Sequence, residues 1–307
     1  MNRKEWLETR RNGLGGSDIA AIFGISPWAT EMDVYLDKMG LRKDEDSNAK
    51  QRGRIFEKAL AEWYAEENNV EVTPGVHFQG EVSFMMASPD FWVSLPGEVQ
   101  KWGLECKTSR STKGWGEEMT DQIPAYYATQ CHWYMMVTGK DVWDVVVYFT
   151  LQDEFRQYRL HKDEDLHEKM YEKARDWWNA HIVEQVPPAI DGSKASDTLL
   201  QHNFPEDTGE VREPTDREVA LFAELHSINK ALKDLQEHKS NTVNLIKEQM
   251  GDTTVIQGDT GKVSWKLGNG RRTLDTKAIR KDHPELAEQY TKVSDPSRTF
   301  RFTYNEG

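Results

Sequence analysis

The sequence predicts an α/β fold, a mixed central sheet flanked by helices, followed by a long helix and a small β-rich appendage. Three observations carry that expectation. Residues 49 to 67 set Ile55, Phe56, Ala59, Leu60, Trp63 and Tyr64 at helical spacing, as a packed helix requires. Val142 to Phe149 is apolar on both faces, the pattern of a strand inside a sheet. Asp90 and the triplet Glu105-Cys106-Lys107, the two carboxylates fifteen positions apart, fall on strands joined by the turn Leu95-Pro96-Gly97-Glu98.

Composition bounds the possibilities. At 307 residues the chain has room for one large domain and an appendage. Its net charge of −13, from 39 basic and 52 acidic residues, excludes a surface coated with nonspecific nucleic-acid affinity. A DNA substrate would have to meet positive potential confined to a groove. Two cysteines, Cys106 and Cys131, give neither a disulfide framework nor four thiolates for an iron–sulfur cluster, so a reduced, cytoplasmic protein is expected. No apolar run approaches the ~20 residues that span a bilayer, and the opening residues lack a signal-peptide core. Membrane and export readings drop out.

Residues 3 to 12 read as a short basic amphipathic helix stopped by Gly13. Gly13-Leu14-Gly15-Gly16 then opens a second short helix with Ser17 as N-cap; free amides at such a start can bind a phosphate, although most such turns only cap. In the helix at 49 to 67, Gly53 lies one turn from Glu57 on the same face. That leaves the carboxylate room to reach a metal or a phosphate, with a solvated glutamate as the plain alternative. Val70 to Leu95 is strand-like through Val76, Phe78, Val82, Phe84 and Met86. Lys101 to Thr108 returns as the next strand, and alternate residues of a strand share a face. Glu105 and Lys107 therefore point together, and an opposed Asp90 could hold a divalent ion with Glu105. Lys107 would orient or deprotonate a water beside it, and the Cys106 carbonyl is a suitable hard ligand for Mg²⁺. An edge-strand salt bridge is the competing reading of the same residues. The loop Ser109 to Gly116 carries Arg110, Lys113 and Trp115, a cationic loop with one aromatic that suits a DNA grip.

Pro124 begins a helix to about Thr138, in which Gln130 is either a buried hydrogen-bonded amide or a site residue. The strand at 142 to 149, a strand from Phe155 to Leu160 and a helix through Leu166, Met170, Ala174 and Trp177 complete a first domain placed at 1 to 190. Residues 191 to 213 lack periodicity and are expected as a linker or wrapping arm. From 214 to 250, Leu221, Leu225, Ile228, Leu232 and Leu235 follow a 4-3-4-3 spacing, a long helix whose narrow apolar seam self-associates or packs on a neighbour. Residues 251 to 307 are expected as a small basic β-rich appendage: Val263, Trp265 and Leu267 alternate, Asp275 caps a helix through Tyr290, and Thr299 to Tyr304 forms a terminal strand. Lys262 to Arg301 holds ten Lys or Arg against five Asp or Glu, a local excess that suits a DNA-tracking surface or an acidic partner.

Six motifs in order, RxGLGGSDIAAIFG near the start, RGRIFE at 52 to 57, SPDF at 88 to 91, GLECKTS at 103 to 109, TQCHWYMMVTG at 129 to 139 and PPAIDGS at 187 to 193, resemble the YqaJ-type viral recombinase family. These are phage relatives of lambda exonuclease within the PD-(D/E)XK nuclease superfamily. The resemblance implies a restriction-endonuclease-like core and a 5′→3′ exonuclease that digests one strand of linear double-stranded DNA. It implies Mg²⁺, two ions per site, with Mn²⁺ able to substitute, and a 3′ overhang handed to a single-strand annealing protein. By motif position, Asp90, Glu105 and the Cys106 main-chain carbonyl would be metal ligands, Glu57 would complete a second ion site, Lys107 would serve the attacking water, and Gln130 would lie at the active site. A homo-oligomer, a trimeric ring in lambda exonuclease, and a phage- or prophage-encoded protein in the bacterial cytoplasm are implied likewise. Ser17 is a candidate DNA contact; where lambda exonuclease has Ser-Arg in this motif, with the arginine near the terminal phosphate, this chain has Ser17-Asp18, so preference for a 5′-phosphorylated end does not carry over and that contact would fall to Arg52, Arg54, Arg110 or Lys113. Two other readings compete. A nicking or structure-selective endonuclease on the same core would cut a closed circle, and a noncatalytic protein that binds DNA ends or a partner would cut nothing.

Overall fold

The computed structural model describes residues 8–42, 47–293 and 297–304, and the chain divides into two units, Met1–Asn203 and Phe204–Gly307. Strands of the first unit are β1 Glu71–Pro74, β2 Phe78–Gln79, β3 Met86–Ala87, β4 Phe91–Ser94, β5 Trp102–Ser109, β6 Val142–Phe149 and β7 Glu154–His161. Five of them form one sheet in the order β1-β4-β5-β6-β7, and β2 pairs only with β3. β5 and β6 run parallel, with Glu105 opposite Val145 and Lys107 opposite Val147; the other neighbours are antiparallel, so the sheet is mixed as expected. The β4–β5 turn is closed by Glu98 N–H donating to Leu95 O at 2.9 Å, with Gly97 at a φ of 79° that favours glycine.

Helices α1 Gly16–Ile22, α2 Glu31–Lys38, α3 Asn48–Asn68, α4 Ala125–Thr138, α5 Glu164–Trp178 and α6 Lys194–Asn203 cover this sheet. Alternation along β5 and β6 sorts the two faces. Leu104, Cys106 and Val146 bury against Leu60, Ala61 and Tyr64 of α3. On the opposite face Val145, Val147, Phe149 and Trp143 pack with Trp133 and Met135 of α4, Met170 and Ala174 of α5 and Ile19 of α1. Each large side chain so buried contributes roughly 1.5–3 kcal/mol. Gly103 of β5 is dictated by this core, because a Cβ there would lie 2.3 Å from the Trp143 ring. Pro124 at the N-cap and Gly139, at φ 67°, bound α4 where the sequence placed its ends.

Several elements depart from expectation for identifiable reasons. Of the helix expected over 3 to 12, residues 8–11 are helical and its start lies outside the described residues. The strand-like stretch from Val70 to Leu95 breaks into four short strands. Trp133 Nε1 donates to Leu14 O and Met86 O at 3.1 and 3.0 Å, and Leu14 bridges Met85, which draws residues 84–87 off the main sheet toward α1 and α4. Within the stretch expected as linker, α6 packs on α2 and buries Ala195 and Leu199. In α3, Ile55 and Ala59 face solvent while Leu60 and Tyr64 face the sheet.

The second unit holds α7 Asp216–Met250, the hairpin β8 Val255–Gly258 and β9 Gly261–Ser264, and two short helices, α8 Thr276–Asp282 and α9 Pro284–Gln289. Thr215 and Glu218 close a capping box at the start of α7, and Leu221, Ile228, Leu232 and Leu235 of its seam are exposed. Asp275 caps α8, but Pro284 lacks an N–H to continue that helix and starts a new one. Residues 299–304 form no strand; Tyr304 stacks on His226 of α7 and Phe302 meets Phe222 at a tilt instead. The appendage is therefore one hairpin with two helical turns rather than β-rich. No helix among the described residues is long and apolar enough to cross a membrane.

Candidate active site

Asp90 sits in the bend that enters β4, and the β4–β5 register brings it opposite Glu105. The Cys106 N–H donates to Asp90 Oδ2 at 2.8 Å, fixing the carboxylate against the strand that carries its partner. Cys106 itself points to the α3 face, while Glu105 and Lys107 look toward α4. Glu105 Oε1 accepts from Lys107 Nζ at 2.5 Å and from Gln130 Nε2 at 2.7 Å. Gln130 Oε1 in turn accepts from Lys107 Nζ at 3.3 Å, and its Nε2 donates to the Tyr134 hydroxyl at 3.0 Å. The Tyr127 ring lies 4.9 Å from Lys107 Nζ and walls the amine on that side. The other Glu105 oxygen, Oε2, is buried without a hydrogen-bond partner.

Charges around this cluster do not balance. Burial and the Glu105 carboxylate push the Asp90 carboxyl well above its ordinary range, against Lys107; Glu57 of α3 adds to the push. Burial and Glu105 likewise raise the Glu57 carboxyl, with Lys107 and Arg54 opposing. Burial works against the charge on Lys107, yet Glu105 and Asp90 outweigh it and hold the ammonium above its usual value. Three carboxylates thus crowd one ammonium, a deficit of positive charge that a divalent cation would relieve. Among the described residues no three His, Cys, Asp or Glu side chains close into a ready-made metal cage. The donor set still fits a hard cation: an orphaned buried carboxylate oxygen, a second carboxylate opposite it and a third within electrostatic reach.

The glycine-rich turn is capped by a different residue from the one expected. Gly15, not Ser17, is the N-cap of α1, and Asp18 Oδ2 accepts from its N–H at 2.9 Å. Asp18 is buried between Arg10 Nη2 and Lys38 Nζ, each at 2.7 Å; burial favours its neutral form, but the two cations outweigh that and hold the carboxyl below its ordinary range. A Cβ at Gly16 would lie 2.8 Å from both Gln130 Cγ and Tyr134 Cε1, so the missing side chain lets α1 seat against the part of α4 that carries Gln130. The turn is a packing device, and Ser17 stays exposed at its rim.

Sequence reasoning missed Arg10, whose Nη2 also donates to Ser17 Oγ at 2.9 Å. Arg52, Arg54, Arg110 and Lys113 are exposed, as contacts require. Trp115 is not available: it is 9% exposed and packs among Tyr127, Phe149 and Tyr158 with ring centroids 5.1–5.6 Å apart, because its loop folds back onto the core. The tryptophan that does reach solvent beside the site is Trp28, 66% exposed, which no periodicity singled out.

Comparison with known proteins agrees with the motifs. Residues 5–141 match the model of the YqaJ-like viral recombinase domain. A relative called uncharacterized protein YqaJ, from Bacillus subtilis (strain 168), is 27% identical over 316 residues, covering all of this chain and 95% of the relative. Among solved structures, an alkaline exonuclease from Laribacter hongkongensis aligns at 18% identity and a TM-score of 0.48, over 65% of this chain and 97% of that one. A phage-related exonuclease from Haemophilus somnus 129PT aligns at 14% identity and a TM-score of 0.42, over 57% and 96%. Asp90, Glu105, Lys107 and Gln130 all fall within the segment, residues 5–141, that is similar to the YqaJ-like viral recombinase domain.

Proposed function

We propose that this chain is a Mg²⁺-dependent exonuclease that digests one strand of linear double-stranded DNA from its 5′ end and leaves a 3′ overhang for a single-strand annealing protein. The observation that carries this reading is the buried, unpartnered Glu105 Oε2 facing an electrostatic deficit shared by Asp90 and Glu57, with the Lys107 ammonium beside it. The recombinase description of the matched family supports it. Asp90, Glu105, the Cys106 carbonyl and Glu57 would hold the ions. Mg²⁺, or Mn²⁺ in its place, would supply there an acidified water and charge stabilisation at the phosphate.

The remaining work falls to the chain's own groups. Lys107 is held by Glu105 Oε1 and Gln130 Oε1, so its ammonium has a fixed direction. Protonated, it has no lone pair with which to remove a proton; it orients the attacking water and stabilises negative charge. Gln130 spans Glu105 and Tyr134 and keeps the carboxylate in register with the amine. Arg10, held by Asp18 beside the exposed Ser17 hydroxyl, adds positive charge at the rim where a terminal phosphate would approach. The active assembly is a homo-oligomer in this reading.

Linear duplexes labelled at each end, with or without a 5′ phosphate, and a closed circle test it in Mg²⁺ and in chelator. Label should leave the 5′ end first, with the circle intact and no reaction in chelator. Loss of the circle would favour the endonuclease reading, and no cleavage of any substrate would favour a binding protein.

A further inference from the structure

We propose that Trp28, backed by Tyr126, is a stacking platform for a nucleobase of the DNA strand that enters the site at Lys107, an inference that rests on the DNA-processing reading above. Trp28 is 66% exposed in a unit where Trp92, Trp133, Trp143 and Trp177 are all buried. An indole so placed leaves most of its surface open to a ligand. The segment that carries it is not slack. Ile25 and Ser26 N–H both donate to Ala20 O, at 3.0 and 3.1 Å, which ties the segment to the end of α1. Ser26 Oγ accepts from the N–H groups of Trp28 and Ala29 at 3.3 Å each, and Thr30 caps α2 immediately afterwards. The indole is therefore presented from a fixed backbone.

Its surroundings lead to the chemistry. The Trp28 ring meets Tyr126 edge-on, centroids 4.8 Å apart at 79°, and lies 5.9 Å from Tyr127. Tyr126 and Tyr127 are 4.5 Å apart, and Tyr127 is the ring that sits 4.9 Å from Lys107 Nζ. An unbroken run of aromatic rings thus connects solvent to the amine. Bases stack on such faces without regard to sequence, because every base offers a π-face. That tolerance matches an enzyme that digests whatever strand it is given. Nothing comparable is left at Trp115, whose ring is consumed by the core.

The test uses the full chain carrying Lys107→Ala, so that bound DNA is not degraded, and duplexes with 5-iodouracil at each of the first three positions of either strand. Irradiation should link the iodinated base to the peptide containing Trp28 or to that containing Tyr126. Adding Trp28→Ala should abolish the Trp28 link and weaken end binding about tenfold, while Trp28→Phe should restore binding to within about threefold. Unchanged melting of Trp28→Ala, expected for an exposed side chain, separates lost stacking from lost folding. Links confined to other peptides, or equal affinity with and without the indole, would overturn the platform. If the unmutated chain hydrolyses DNA but shows neither link nor Trp28 dependence, the platform alone falls. If it hydrolyses nothing yet shows both, the platform stands and the nuclease reading falls; if it binds no DNA, both fall.

Discussion

Lys107 is the residue on which the chemistry turns. Its ammonium is fixed by two oxygens and by the Tyr127 ring, so Lys107→Ala should cut hydrolysis by at least about 10²-fold while leaving DNA affinity within about threefold. Equal turnover would remove it from the mechanism. A second prediction concerns His132 and His167, whose rings hydrogen-bond at 3.0 Å between α4 and α5. Burial lowers both, with His167 brought to about 4 from an ordinary 6.5 by burial, then by His132 and Lys162, against Asp163 and Glu164. The unfolded chain therefore binds protons first as pH falls. Stability is fully present above about pH 6.5 and is lost toward pH 4. The Tm of the His132→Gln, His167→Gln double variant should vary less steeply over that window than the parent's, and an identical slope would contradict the assignment. At this scale Asp90, Glu105 and Lys107 were legible because a period of two and a short turn fix which carboxylates can meet. Arg10 and Trp28 were not, because each gains its place only from a distant packing partner. Trp115 misled for the same reason: a polar loop around it hides a ring that folds inward.

The decisive element is the seam between α1 and α4. Gly16→Val would drive a side chain into Gln130 and Tyr134, an overpacking cost of about 1–3 kcal/mol. Thermal unfolding should move down by several degrees, and residual activity in the folded fraction should also fall because Gln130 is displaced. A variant with an unchanged Tm would show that the helices part without cost. Helices α3 and α4 and strand β6 announced themselves through spacing and caps. The pieces from 70 to 95 did not, since residues 84–87 answer to Trp133 and Leu14 rather than to their own alternation. The short α6 was likewise masked by a polar sequence whose two apolar anchors, Ala195 and Leu199, are too few to set a period.

For the whole molecule, the two units divide the sequence's two signals. The first holds the site residues, and the second holds a 35-residue helix whose seam residues Leu221, Ile228, Leu232 and Leu235 are exposed, with an irregular basic tail that alternation had suggested as strand. An a/d seam of that kind is a surface for another helix. Ile228→Asp with Leu232→Asp, in the full chain, should lower the mass seen by light scattering and, because the proposed active assembly is a homo-oligomer, reduce hydrolysis of linear duplex; unchanged mass would remove this seam from the proposed self-association. The proposed chemistry needs a hard cation between Asp90 and the unpartnered oxygen of Glu105. Calorimetric titration of Mn²⁺ into the full chain and into Glu105→Gln tests that most directly. Saturable binding in the parent that is lost in the variant, alongside loss of DNA hydrolysis, is the expected result, and identical Mn²⁺ binding by both proteins would contradict it.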